Sequence, residues 1–266
     1  MIKEPRSEFV GRRRELAALA DELTHARLIT LTGVGGVGKT RLAVRAANAH
    51  ARRTSIHAVF VGLDAVSDPR RVTDAIAQAL PYGELSAREP LSFVVDVLSG
   101  EKSLIVLDNC EHLMDAVASV VDELLDALPD LTIVATSRRR LDVDGEQVFA
   151  VPPLATDTAD DEPADALALL LARARAGDAG FALAQTDLAA AAQLCRALDG
   201  LPLAIELAAA RLRTLSVTEL GRRLSQRFTL LRSGTRAPLS RQRTPLAVVD
   251  GSSELCTPAE RSSRAA

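Results

Sequence analysis

Gly33-Val34-Gly35-Gly36-Val37-Gly38-Lys39-Thr40 stands between an apolar β-branched run, Leu28–Thr32, and a helical pattern from about Lys39 to His50. Its spacing is G-x-x-x-x-G-K-[ST], and a strand before it with a helix after it is the context in which such a string binds phosphate. Glycines let backbone amides turn inward around phosphate oxygens, and the helix N-terminus adds positive potential. Lys39 would neutralise the β and γ phosphates, and the Thr40 hydroxyl would ligate magnesium. Only three of the 32 basic residues are lysine, Lys3, Lys39 and Lys102, so a lysine is scarce at any position of this chain. The string therefore predicts an α/β domain with a nucleotide site at a strand-to-helix turn.

The rest of the first half supports that class. Ala58–Val61, Ser103–Asp108, Leu131–Thr136 and Gln147–Val151 read as further strands, and their alternation with helical patterns predicts a parallel β-sheet. The third and fourth are apolar enough to be covered on both faces. Asp68-Pro69 supplies an N-cap and an N1 proline for a helix ending near Leu80-Pro81. After Pro153 the texture changes to a polar, acidic stretch and then helical periods only, near Pro163–Ala176, Asp187–Leu198, Leu201–Leu215 and Val217–Leu230. We expect a P-loop domain over 1–155, a smaller all-helical domain over 156–231, and a basic linker with the start of a winged-helix-like segment over 232–266. Ser216 and Glu219 form a capping box, and Thr257-Pro258-Ala259-Glu260 is a second helix start with six residues after it. That ending suggests a fragment of something longer.

A phosphate loop alone does not hold magnesium, so an acid is expected at the tip of a neighbouring strand. Asp108, closing Leu104-Ile105-Val106-Leu107, fits that role, although strand-end aspartates also serve as plain helix caps. The next position would carry the general base and holds Asn109, which cannot accept a proton. Glu111 is the available substitute, or it only favours the N-terminus of the next helix. Arg138, after the fourth strand, is either a sensor of the γ-phosphate or a solvated loop arginine beside Arg139 and Arg140. Gly200-Leu201-Pro202 reads physically as a glycine C-cap followed by an N1 proline.

Composition narrows the class. The 266 residues are 47% hydrophobic and 25% charged, with 3% aromatics and no tryptophan, which predicts a folded chain with an aliphatic, helix-packed core. No apolar run approaches the ~18 residues that cross a bilayer, and Met1–Arg6 lacks the order of a secretion signal, so a cytoplasmic protein without membrane contact is expected. Cys110, Cys195 and Cys256 have neither disulfide-framework nor zinc spacing. A net charge of −3 disfavours a chain built wholly for nucleic acid.

These strings together resemble the STAND signal-transduction ATPases in their AP-ATPase or NB-ARC branch, as found in bacterial transcriptional regulators of the SARP and LuxR-like kinds. The resemblance runs from about Phe9 to Glu260. It rests on Phe9-Val10-Gly11-Arg12, Gly33–Thr40, Leu107-Asp108-Asn109-Cys110-Glu111-His112-Leu113, Thr136-Ser137-Arg138 and Gly200-Leu201-Pro202-Leu203-Ala204. It implies ATP or ADP with Mg2+ as ligands. Val10, Gly11 and Arg12 would border adenine and ribose, Pro202 would pack on the base, and Arg138 would touch the terminal phosphate. The loop residues Gly33, Val34, Gly35, Gly36, Val37, Gly38, Lys39 and Thr40, with Arg41 next to them, would cradle the nucleotide. Lys39, Asp108, Glu111 and Arg138 would be catalytic, and Thr40 and Asp108 would hold the metal. It further implies regulatory and DNA-binding domains outside this chain and a nucleotide-dependent homo-oligomer.

The reading that follows is an ATP/ADP-operated switch with slow hydrolysis. Two others remain open on sequence. A P-loop small-molecule kinase or transferase would need a closing lid, and no basic lid segment is visible between the third and fourth strands. A nucleic-acid-binding module would use the nine arginines, against one acid, between Arg211 and Arg243, which otherwise form a solvated face.

Overall fold

The computed structural model describes residues 1–80, 89–157 and 164–233. It separates into two compact units, Met1–Pro152 and Pro153–Ala266, slightly ahead of the boundary drawn from composition. The expected helix ends at Pro81 and Pro163, the basic run beyond 233 and the string Thr257–Glu260 lie outside the described residues.

The first unit is an α/β layer structure. Five strands, β1 (Leu28–Thr32), β2 (His57–Gly62), β3 (Ser103–Asp108), β4 (Leu131–Ser137) and β5 (Glu146–Ala150), form a parallel sheet in the order β2-β3-β4-β1-β5. Parallel neighbours require crossovers, and helices supply them. These are α1 (Arg13–His25), ahead of β1, then α2 (Lys39–Thr54), α3 (Val72–Ala79), α4 (Pro90–Leu98) and α5 (Met114–Ala127). β1, β3 and β4 are buried almost throughout, as their unbroken apolar runs require, whereas β5 at one edge is largely open. Leu28, Ile105, Leu107, Ile133 and Ala135 pack with Val72 and Ile76 of α3, Val94 of α4, and Val117, Val121 and Leu124 of α5. Strand alternation turns Ile29, Leu31, Leu104, Val106 and Val134 to the other face, the face that α2 covers with Leu42, Ala43, Ala46 and Ala47.

Two sequence expectations need correction. β3 is not beside β1: β4 lies between them, so the acid at the end of β3 is two strands from the phosphate-loop strand. The Asp68-Pro69 start opens a 3-10 turn over Pro69–Arg71, with the Asp68 carboxylate accepting from the Arg70 amide at 3.0 Å, and α3 begins only at Val72.

The second unit is helical over its described residues. α6 (Asp165–Gly177), α7 (Leu188–Ala197), α8 (Pro202–Arg211) and α9 (Val217–Ser233) pack as α6 on α8 and α7 on α9. Buried Ala166, Ala174, Ala191, Ala204, Ala208 and Ala209 keep the helices close, in line with the aliphatic composition. Gly200 is left-handed (φ 63°), its amide bonds back to the Cys195 carbonyl at 3.1 Å, and Pro202 follows at the start of α8. Only half of the capping box forms. The Glu219 amide donates to the Ser216 hydroxyl at 3.2 Å, but the Glu219 carboxylate is drawn to Arg222 and Arg223, which hold its pKa down at about 2. Among the described residues no helix is long and apolar enough to cross a membrane.

Candidate functional site

The phosphate loop is built by glycine geometry. Gly36 (φ 77°) and Gly38 (φ 95°) take left-handed conformations that side chains resist, and a Cβ on Gly33 would meet the Val151 carbonyl oxygen at 3.0 Å and Val37 at 3.2 Å. Val37 is fully buried under the loop, while Val34 is exposed at its tip. The Lys39 ammonium donates to the carbonyls of Gly33 at 2.9 Å and Val34 at 3.3 Å, so it spans the loop. Burial pulls its pKa below the ordinary lysine value. Glu111 and then Asp108 oppose that shift, and Arg138 adds to it. Three charged side chains from two strand ends therefore act on this one ammonium.

The Thr40 hydroxyl donates to Asp108 Oδ1 at 2.6 Å, joining the first turn of α2 to the tip of β3 across the intervening strand. A hydroxyl and a carboxylate in contact at the loop are two hard oxygen donors, the set that magnesium takes beside phosphate oxygens. The residues present thus fit the metal.

Asn109 follows in the left-handed region (φ 66°), and its amide donates to Thr136 Oγ1 at 3.0 Å. That turn leads into Cys110–His112, and Glu111 there accepts from Arg138 Nε at 2.9 Å. Arg138 is the more exposed partner of this ion pair, and its Nη2 lies 3.8 Å from where a Gly35 side chain would begin. Glu111 and Arg138 are thus brought together beside the loop.

The N-terminal segment contacts both the loop and α2. Gly11 (φ 72°) and Arg12 (φ 60°) turn the chain after Val10, and the buried Arg12 guanidinium donates to the Val37 carbonyl at 2.6 Å, propping the loop from behind. Arg41 reaches the carbonyls of Ser7 at 2.9 Å and Glu8 at 3.0 Å and lies over the Phe9 ring beside Arg45. It binds the N-terminal segment in this structure. Pro202 sits in the helical unit at the first turn of α8. Sequence reasoning quoted Thr136 only within Thr136-Ser137-Arg138 and gave its side chain no role, and it missed Asn48, which pins the N-terminal segment by accepting from the Ile2 amide at 2.9 Å and donating to its carbonyl at 2.8 Å.

Comparison with known proteins agrees with this geometry. Residues 21–143 match the family model described as an AAA domain. The Walker-type ATPase of Pyrococcus abyssi superimposes with a TM-score of 0.56 over 87% of this chain and 76% of its own, at 14% identity. Cdc6p from Pyrobaculum aerophilum gives 0.57 over 77% and 62%, at 19% identity. The α/β unit has the fold of P-loop ATPase domains. At those identities the structural likeness speaks for the fold alone. Sequence relatives add context. A protein of Mycobacterium tuberculosis provisionally named an HTH-type transcriptional regulator is 40% identical over 240 residues, which are 90% of this chain and 26% of the relative. An uncharacterized protein of the same organism is 36% identical over 255 residues, 96% of this chain and 63% of the relative. The regulatory protein AfsR of Streptomyces coelicolor is 28% identical over 87% of this chain and 24% of its own length. The chain thus spans about a quarter of the named regulators it matches.

Proposed function

We propose that this chain is the ATP/ADP-operated switch of a transcriptional regulator of the STAND kind, cytoplasmic, with slow hydrolysis. The observation that carries the reading is the 2.6 Å bond from Thr40 to Asp108, which joins the phosphate loop to the carboxylate expected to hold magnesium. The loop amides and Lys39 would bind the β and γ phosphates, and Arg138, next to Gly35, would meet a terminal phosphate. Magnesium bound at Thr40 and Asp108 would neutralise phosphate charge. The relatives named as regulators supply the setting, and their extra length has room for the DNA-binding and sensor domains the reading needs.

Slow turnover follows from Asn109. An amide at the position of a base cannot take a proton from water, and general base catalysis contributes roughly 10²–10⁴-fold. Glu111 is the available substitute, and its carboxylate is engaged by Arg138. Phosphate release from pre-bound ATP in a single turnover tests this. Glu111→Gln should lower the rate by about tenfold or more, and Asn109→Asp should raise it. If neither substitution changes the rate, the acid–base reading of this strand end is wrong and the nucleotide serves only to stabilise a scaffold.

A further inference from the structure

We infer that the amino-terminal edge of the sheet carries a second binding site, for a small neutral molecule of mainly apolar surface that bears one carbonyl or hydroxyl oxygen. The inference is independent of the nucleotide reading. The phosphate loop and Asp108 lie at the carboxyl ends of β1 and β3, and this site lies at the opposite end of the sheet, where β2 and β3 begin.

His57 and Ser103 open those two strands and are paired in register. Beside them is a cavity of about 500 Å³, within the range of roughly 300–1,000 Å³ typical of small-molecule pockets. Ile2 of the N-terminal segment, Phe60 of β2, Ala79 and Leu80 at the end of α3, and Val97 and Leu98 at the end of α4 supply its apolar walls. Ile2, Leu80 and Leu98 are buried, so those walls are held by the core behind them, whereas Phe60 is 36% exposed.

Two features set the chemistry of the ligand. The first is Ser103, which belongs to the cavity lining, is 3% exposed and has a buried hydroxyl with no hydrogen-bond partner among the described residues. A buried hydroxyl left unpaired is costly, and a ligand oxygen would satisfy it, a carbonyl by accepting and a hydroxyl in either direction. The second is charge. The ionisable side chains at the cavity are Lys3, His57 and Glu101, all three exposed. One cation and one anion leave the rim without a strong net field, and the apolar interior holds no counter-ion for a charged ligand. A neutral body with its single oxygen turned to Ser103 meets both conditions.

The experiment is fluorescence titration of the full chain with the neutral dye phenylnaphthylamine, followed by displacement with acetylnaphthalene or isopropylnaphthalene, which match in shape and differ in the carbonyl. Wild type should bind the dye saturably at one site, and the ketone should compete roughly threefold to tenfold better than the hydrocarbon, the scale of one neutral hydrogen bond. Ser103→Ala removes the hydroxyl and should bring the two competitors within about twofold of each other. Ala79→Phe fills the cavity and should weaken dye binding at least tenfold; should it fail to fold by circular dichroism, Val97→Phe takes its place with the same expectation. No saturable binding by folded wild type, a ketone preference that survives Ser103→Ala, or dye affinity unchanged in the cavity-filling variant overturns the inference. Dye that ADP displaces and Ala79→Phe leaves bound would sit in the nucleotide site, and overturns it as well.

Discussion

At the scale of single residues, Cys110 and Cys195 show how far burial moves chemistry. Both thiols are completely buried, and burial foremost pushes each up to about 12. At pH 8 a thiol with that value is ~10⁻⁴ thiolate, against about a quarter for a free cysteine. Both should therefore resist thiolate-directed reagents in the folded protein and react when it unfolds. Site-resolved mass spectrometry after brief labelling at pH 8, without and with denaturant, checks this. Prompt labelling of either without denaturant would show its unit to be more open than the packing here. The phosphate-loop residues were legible in the sequence because their chemistry is written in one contiguous string. The contacts of Thr136 were not, because its partners Asp108 and Asn109 lie 28 and 27 residues away and meet it only through strand order. Arg27 is a similar case. Its guanidinium closes on the carbonyls of Leu125 and Leu128 at the end of α5, a hundred residues on, and no local pattern announces that clamp.

Among the elements, the strands stood out in sequence because both-face burial writes an unbroken apolar run. Three helices were harder to see. α1 opens behind a left-handed Arg12 and α5 behind Leu113, neither with a side-chain cap, and α4 opens behind Glu89, which accepts from the Ser92 amide at 3.1 Å. None begins with the serine, threonine, aspartate or asparagine that marks a helix start in sequence. The turn into α8 is the opposite case, legible and strict. A side chain on Gly200 would stand 2.2 Å from the Leu154 carbonyl oxygen, whose own amide donates to the Gly200 carbonyl at 2.9 Å. Gly200→Ala should cost about 2–4 kcal/mol from the left-handed backbone and the backbone clash together. Gly221→Ala in α9 meets open space and should stabilise by about 0.5–1 kcal/mol. Urea unfolding followed by circular dichroism separates the two. Equal effects at both sites would mean that the Gly200 turn is not held as described.

For the whole molecule, fold class was readable from the alternation of strands and helices, yet strand order was not. A parallel sheet can be wound in several orders from the same elements, and only packing placed β4 between β1 and β3. That placement makes Asp108 a partner of Thr40 across a strand, so the site is a product of the sheet as much as of the loop. The central claim is that this assembly binds an adenine nucleotide through its phosphates. Calorimetry of ATP and ADP with magnesium on wild type and Lys39→Ala tests it most directly. Wild type should bind both, and Lys39→Ala should weaken each at least tenfold, since a charge-assisted phosphate contact is worth about 1.5–3 kcal/mol. Binding by wild type that survives unchanged in Lys39→Ala, or no binding by well-folded wild type, would contradict the account.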